Sequence, residues 1–188
     1  TKVDNYRAIT LGSVISKIFE FCVSSKFGSF LTSSDLQFGF KKGIGCANAV
    51  YVVQQVVEYF NSRGSNVYIS SLDASKAFDR VNHASLIRKL HERNIPTCLI
   101  NVISNWYSKL TASVRWNGVF SGKFNVECGV RQGSVLSHLL FNIYVDQLIS
   151  NLNSSNFGCS IGNTFLLHHV CRRFTFDVSF CIWFASYA

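Results

Sequence analysis

The chain has 188 residues, of which 48% are hydrophobic and 15% charged, so it carries enough apolar material for a real core and is not a disordered chain. Its formal net charge of +8 points to an acidic partner, nucleic acid before an anionic membrane surface. Seven scattered cysteines without a CxxC pair, no signal peptide and no apolar run near about 18 residues argue against a disulfide scaffold, secretion and a membrane span. Reduced thiols inside the cell, nuclear or cytoplasmic, are expected. The absence of methionine, with Thr1 at the start, predicts an interior piece of a longer reading frame.

In chain order, residues 13–30 have helical spacing, with Val14, Ile15, Ile18, Phe19 and Val23 apolar. A polar, Gly-containing loop, SSDLQFGFKKGIG, leads to CANAVYVVQQVVEYFNSR, which reads as an amphipathic helix ending near Gly64. NVYISSLD reads as a strand. NHASLIRKLHER reads as a helix with Asn82 as N-cap and Leu86, Ile87 and Leu90 on one face. Pro96, the only proline, stands at the start of the next helix, TCLINVISNWYSKL. ASVRWNGVFSGKFNVE predicts a hairpin turning at Asn117-Gly118. GVRQGS then leads into a long helix over residues 135–152, and FGCSIGNTFLL forms a second hairpin around Gly162-Asn163. Helices interleaved with mainly antiparallel strands define the class as α+β.

Four stretches carry candidate chemistry. Asp73 ends the NVYISSLD strand, a position suited to a hard cation such as Mg²⁺, which prefers oxygen ligands; alone, it is equally a turn cap. Phe78, five positions on, is either core packing or a wall beside a ligand sugar. Gly129 and Gly133 flank Arg131-Gln132 just before a helix, where backbone can approach an anion; an empty N-cap loop has the same look. Arg7, Lys41 and Lys42 suit triphosphate or backbone phosphates, although solvated surface cations are common.

As a set the stretches are specific. NYRAITLGSVISKIFE, QFGFKKGIGCANAV, SLDASKAFDRVNH and GVRQGSVLSHLLFNIYVDQL, in this order, resemble the reverse transcriptase domain of non-LTR, LINE-type (jockey/CR1-like) retrotransposons across residues 5–164. The resemblance implies the fingers and palm of a polymerase right hand, an antiparallel palm sheet backed by helices. It implies RNA-templated DNA synthesis, in which a primer 3′-hydroxyl attacks the α-phosphate of a dNTP with two Mg²⁺ ions steadying the attacking and leaving oxygens. By position, Asp73 matches the first metal-binding aspartate and Ala74 the residue whose carbonyl also meets metal. Phe78 matches the aromatic under the nucleotide sugar, and Gln132 and Gly133 the loop on nucleotide and template. Arg7 and Lys41 match fingers residues that touch triphosphate, and Lys42 and Arg131 are cations for nucleic acid. The implied partners are an RNA template, a DNA primer and dNTP, with no membrane.

The family's palm also needs a Tyr-Ala-Asp-Asp turn after the long helix, and this chain reads HHVCRRFTFDVSFCIWFASYA instead. Residues 169–174 can be encoded as CAT-GTA-TGC-CGA-CGA-TTT. Read one base later, those bases give Met-Tyr-Ala-Asp-Asp. An insertion or deletion between about residues 162 and 169 would explain the loss, making residues 1–167 the fingers and palm fragment and residues 168–188 an out-of-frame tail. Ala8 and His138 stand where the family usually has proline, each one base change away. Cys159, His168, His169 and Cys171 are an alternative zinc set, but adjacent strand histidines face opposite ways and no spaced pair organises them. The expectation is a polymerase by descent without activity as it stands. The runner-up is a non-catalytic, basic nucleic-acid-binding remnant or a product with no function.

Overall fold

The structure, a computed structural model, describes residues 9–74, 76–154, 159–161, 164–166, 168–172 and 178–187, with side chains at 9–69, 74 and 76–154. The backbone divides into two compact units. One comprises Thr1–Leu31 and Phe78–Tyr144, the other Thr32–Ala77 and Val145–Ala188.

In the first unit, helix α1 runs over Val14–Phe27, with the Ser13 hydroxyl accepting from Ser16 N as an N-cap. Its exposure reverses the usual pattern. Ile15 is 80% and Ile18 57% exposed, whereas Glu20 is only 1% exposed. The apolar stripe of the sequence does form a helix, but its buried side carries Glu20 and Val23. Helices α3 (His83–Glu92) and α4 (Thr97–Ser108) are conventional. Asn82 Oδ1 accepts from Ser85 N at 2.8 Å, and Pro96 is the N-cap of α4, as the sequence predicts. Leu86 and Leu90 of α3 and Leu99, Ile100 and Ile103 of α4 are fully buried and form the core with Val81, Val130 and Leu140. Each such side chain contributes on the order of 1.5–3 kcal/mol of burial.

An antiparallel ribbon follows α4, built from β2 (Thr111–Ala112), β3 (Arg115–Trp116), β4 (Val119–Phe120) and β5 (Phe124–Asn125). Its tip is Asn117-Gly118, at φ 47° and 82°, the pair of left-handed conformations that a two-residue hairpin turn demands and Asn-Gly supplies. Helix α5 spans Ser137–Ser154, and its first half, through Tyr144, belongs to this unit.

In the second unit, α2 (Cys46–Asn61) packs on β1 (Asn66–Asp73). Val56 is buried there among Val52, Val53, Val57, Phe60 and Val67. Strands β6 (Cys159–Ile161) and β7 (Thr164–Leu166) pair antiparallel, the hairpin that the sequence predicts; its turn lies outside the described residues. Strands β8 (His168–Arg172) and β9 (Val178–Tyr187) complete a sheet in the order β1-β9-β8. Among the described residues β1 is therefore an edge strand paired with β9 alone, rather than the central strand a palm sheet leads one to expect. The segment read as out of frame supplies the other two strands of that sheet, β9 beside β1 and β8 beyond it. The physical reason is simple: an open strand edge is a template for any apolar, β-prone segment that reaches it.

Candidate active site

The site residues of the first unit lie on two segments laced together. Phe78–Arg80 forms one 3₁₀ turn, and the chain around it bonds to residues 128–130. Val130 N donates to Phe78 O at 2.8 Å, Gly129 N donates to Val81 O at 2.7 Å, and Asn82 bridges Cys128. His83 Nε2 lies 2.8 Å from Gly129 O, its ring N–H donating. The approach is close enough to require glycine. Gly129 has φ 91°, and a Cβ there would stand 3.0 Å from both Cα and O of Asp79.

Gln132 is held on both sides. Its Nε2 donates to Asp79 Oδ1 at 3.3 Å, and its carbonyl accepts from Thr10 N at 3.3 Å. Gly133, at φ 95°, passes the Thr10 carbonyl. The half-buried Phe78 ring stacks on Phe141 of α5, centroids 4.6 Å apart and planes 13° from parallel. Core packing, one of its two sequence readings, thus has a named partner. The structure brings Phe78, Gln132 and Gly133 together across one laced platform.

Arg131 shares that loop but turns inward. Its side chain is 17% exposed, with Nη2 2.6 Å from Glu20 Oε1, both terminal nitrogens 3.3 Å from Ser16 Oγ, and Cζ 4.8 Å from the Trp106 ring centroid. Glu20 Oε2 accepts from the Ser134 hydroxyl, from Val135 N and from Leu136 N, so one carboxylate collects the donors that precede α5. Nothing marks Glu20 in the sequence beyond an acid set among apolar neighbours in KIFEFCV. As a nucleic-acid cation Arg131 is misplaced here: its charge is neutralised within the unit. Burial raises the nearby Tyr107 phenol to about 12, with Arg131 opposing the rise.

The remaining site residues belong to the second unit. Asp73 is the last residue of β1, opposite Phe180 of β9, and Ala74 follows it. Its side chain lies outside the described residues. Lys41 Nζ donates to Ser34 O at 2.6 Å and Ser33 O at 3.2 Å and stands 3.4 Å from Asp35 Oδ1, so it ties its own loop together. Ser34 N in turn donates to Asp146 Oδ1 at 2.8 Å. Lys42 is exposed. Arg7 lies outside the described residues, as do the side chains of the zinc alternative, Cys159, His168, His169 and Cys171.

Asp79 accepts from Gln132 and Asp146 from Ser34, and among the described residues no three His, Cys, Asp or Glu side chains cluster to hold a metal ion. The described side chains do not compose a site for Mg²⁺. Among the described residues, too, no helix is long and apolar enough to cross a membrane.

Within the first unit, the Phe78 segment and the Gln132-Gly133 loop are thus held together by backbone and side-chain hydrogen bonds. Residues 1–171 match the family described as "Reverse transcriptase (RNA-dependent DNA polymerase)". The chain is 31% identical over 159 residues to the Retrovirus-related Pol polyprotein from type-2 retrotransposable element R2DM of Drosophila melanogaster, covering 85% of this chain and 15% of that protein. It is 32% identical over 147 residues to the Probable RNA-directed DNA polymerase from transposon X-element of the same organism (74% and 16%). It is 30% identical over 156 residues to that organism's RNA-directed DNA polymerase from mobile element jockey (79% and 16%). The chain belongs to the reverse transcriptase family, among relatives from non-LTR retrotransposons, and spans about one sixth of their length.

Proposed function

We propose that this chain is the fingers and palm portion of a retrotransposon RNA-directed DNA polymerase, and that as it stands it holds nucleic acid without copying it. The observation that carries the reading is the lacing of Phe78–Arg80 and Asn82 onto residues 128–132, which fixes the aromatic and the Gln132-Gly133 pair on one platform. Backbone hydrogen bonds that hold the segments carrying these residues support reading them as the family's nucleotide contacts. Phe78 is the sugar-side aromatic, with Asp73 and the Ala74 carbonyl as the metal-side groups. Lys41, Lys42 and Arg7 are the phosphate contacts; Lys42, exposed, is the readiest of them. Template, primer and dNTP are the partners, and Mg²⁺ is the ion the intact family chemistry calls for.

Catalysis is a different matter. Two divalent ions roughly 3.5–4 Å apart need carboxylates on both sides, and the sequence after α5 has no paired aspartates. A single carboxylate competes poorly with water for Mg²⁺. The reading frame explains the loss: shifted by one base, the codons of residues 169–174 can spell Tyr-Ala-Asp-Asp. The encoding nucleotides test this directly. GTA at Val170 and CGA at Arg172 and Arg173 are required, and GTC or AGA there would sink the idea. Fluorescence anisotropy tests the binding half. An RNA template–DNA primer should bind at low salt and loosen steeply as salt rises. No binding at low salt would refute it.

A further inference from the structure

Arg131, Gln132, Gly133 and Ser134 form a turn, closed by Ser134 N donating to Arg131 O at 3.3 Å. Gly133, at φ 95°, is its third residue, a position where a left-handed conformation suits glycine. Gln132 and Gly133 are therefore the corner of the turn, and Arg131 and Ser134 are its ends. Both ends are tied to one side chain of α1. Glu20 Oε1 lies 2.6 Å from Arg131 Nη2, and Glu20 Oε2 accepts from the Ser134 hydroxyl. The same Oε2 accepts from Val135 N and Leu136 N, so the chain is held up to the start of α5. Glu20 is 1% exposed, whereas Gly133 at the corner is open to solvent.

This bracing needs a carboxylate. A carboxylate has two acceptor oxygens, and here each serves a different end of the turn. An amide has one acceptor and one donor group. It can satisfy one end only by setting its own N–H groups against those of Arg131 or of Val135 and Leu136 at the other. The corner itself is held more lightly. Thr10 N donates to Gln132 O at 3.3 Å, and Gln132 Nε2 donates at 3.3 Å to Asp79 Oδ1, whose residue is exposed.

We infer that Glu20 is a positioning residue, which sets the Gln132-Gly133 corner for nucleotide and template without touching either. What the corner meets rests on the proposed function, whereas the bracing rests on the hydrogen bonds. A double-mutant cycle in the 188-residue chain tests the role, read as low-salt affinity for an RNA template–DNA primer duplex. Gln132→Ala alone should weaken binding roughly three-fold or more, the loss of one polar contact. Glu20→Gln should weaken it by a similar factor. In the Glu20→Gln chain, Gln132→Ala should then cost less than about 1.5-fold, because a corner no longer held has no contact left to lose. Ile100→Val, a change in the core of α4, should leave the full Gln132→Ala effect in place, which separates positioning from a general loss of stability. Amide exchange over residues 132–136 should quicken in Glu20→Gln and stay unchanged over α3. Should Glu20→Gln fail to fold, Ser134→Ala unhooks one end without stranding Arg131 and should show the same coupling to a smaller degree. An additive cycle, unchanged exchange at the turn, or a silent Gln132→Ala with the duplex bound would each overturn the positioning role and leave the polymerase reading intact. No binding of the duplex would overturn the proposed function and the role with it.

Discussion

Among the described residues each unit buries one acid, and the two acids are used differently. Glu20, in the first unit, meets the Arg131 guanidinium and also accepts from Ser134, Val135 and Leu136. Asp146, in the second, accepts from Ser34 N and fixes the start of a loop whose lysine, Lys41, is bonded to the carbonyls of Ser33 and Ser34. In the first case a cation of the motif loop is consumed by the fold. In the second the acid binds backbone, and the loop's exposed cation, Lys42, stays at the surface. Cations in glycine-flanked loops look alike in a sequence, and the buried acid nearby decides which of them a ligand can reach.

The largest effect should come from breaking the first arrangement. Glu20→Ala strands Arg131 and three donors away from water and should cost roughly 3–5 kcal/mol in chemical denaturation, whereas Glu20→Gln should cost less. A loss under about 1 kcal/mol would mean that the ion pair is not closed. The second effect follows from Tyr107, beside that pair. Its phenol is raised in the folded state to about 12, so the unfolded chain ionises first. Stability should be intact below pH 10 and fall by about 2–3 kcal/mol between pH 10 and 12. Tyr107→Phe should remove that part of the alkaline slope; an unchanged slope would contradict the burial argument. The third, smaller effect belongs to the second unit. Asp146→Ala leaves the Ser34 N–H without its acceptor and should cost about 1–3 kcal/mol, felt as faster proteolysis in residues 32–45. Asp35→Ala, by contrast, removes a fully exposed partner of Lys41 and should change stability immeasurably.

Local signals in the sequence were sufficient for much of this. The Asn82 cap, Pro96 at the head of α4, the Asn117-Gly118 turn and Asp73 at a strand end each depend on a few adjacent residues, and each stands where the sequence puts it. What was not legible depends on distant chain. Helical spacing announces α1 but cannot say which side is covered, because Glu20 is buried by residues more than 100 positions away. The same holds for Arg131, whose motif position suggests a ligand and whose partner makes it structural. The edge position of β1 is likewise beyond reach, since strand order is set by whichever segment arrives at the sheet.

Primer extension tests the central claim most directly. The 188-residue chain, given an RNA template, an annealed DNA primer, all four dNTPs and either Mg²⁺ or Mn²⁺, should bind the duplex at low salt and add no nucleotide. A protein restored to the Tyr-Ala-Asp-Asp frame with its downstream region should extend the primer, and Asp73→Ala in that protein should abolish extension. Template-dependent extension by the 188-residue chain itself would contradict the account, because it would require a second carboxylate cluster that this sequence does not present after α5.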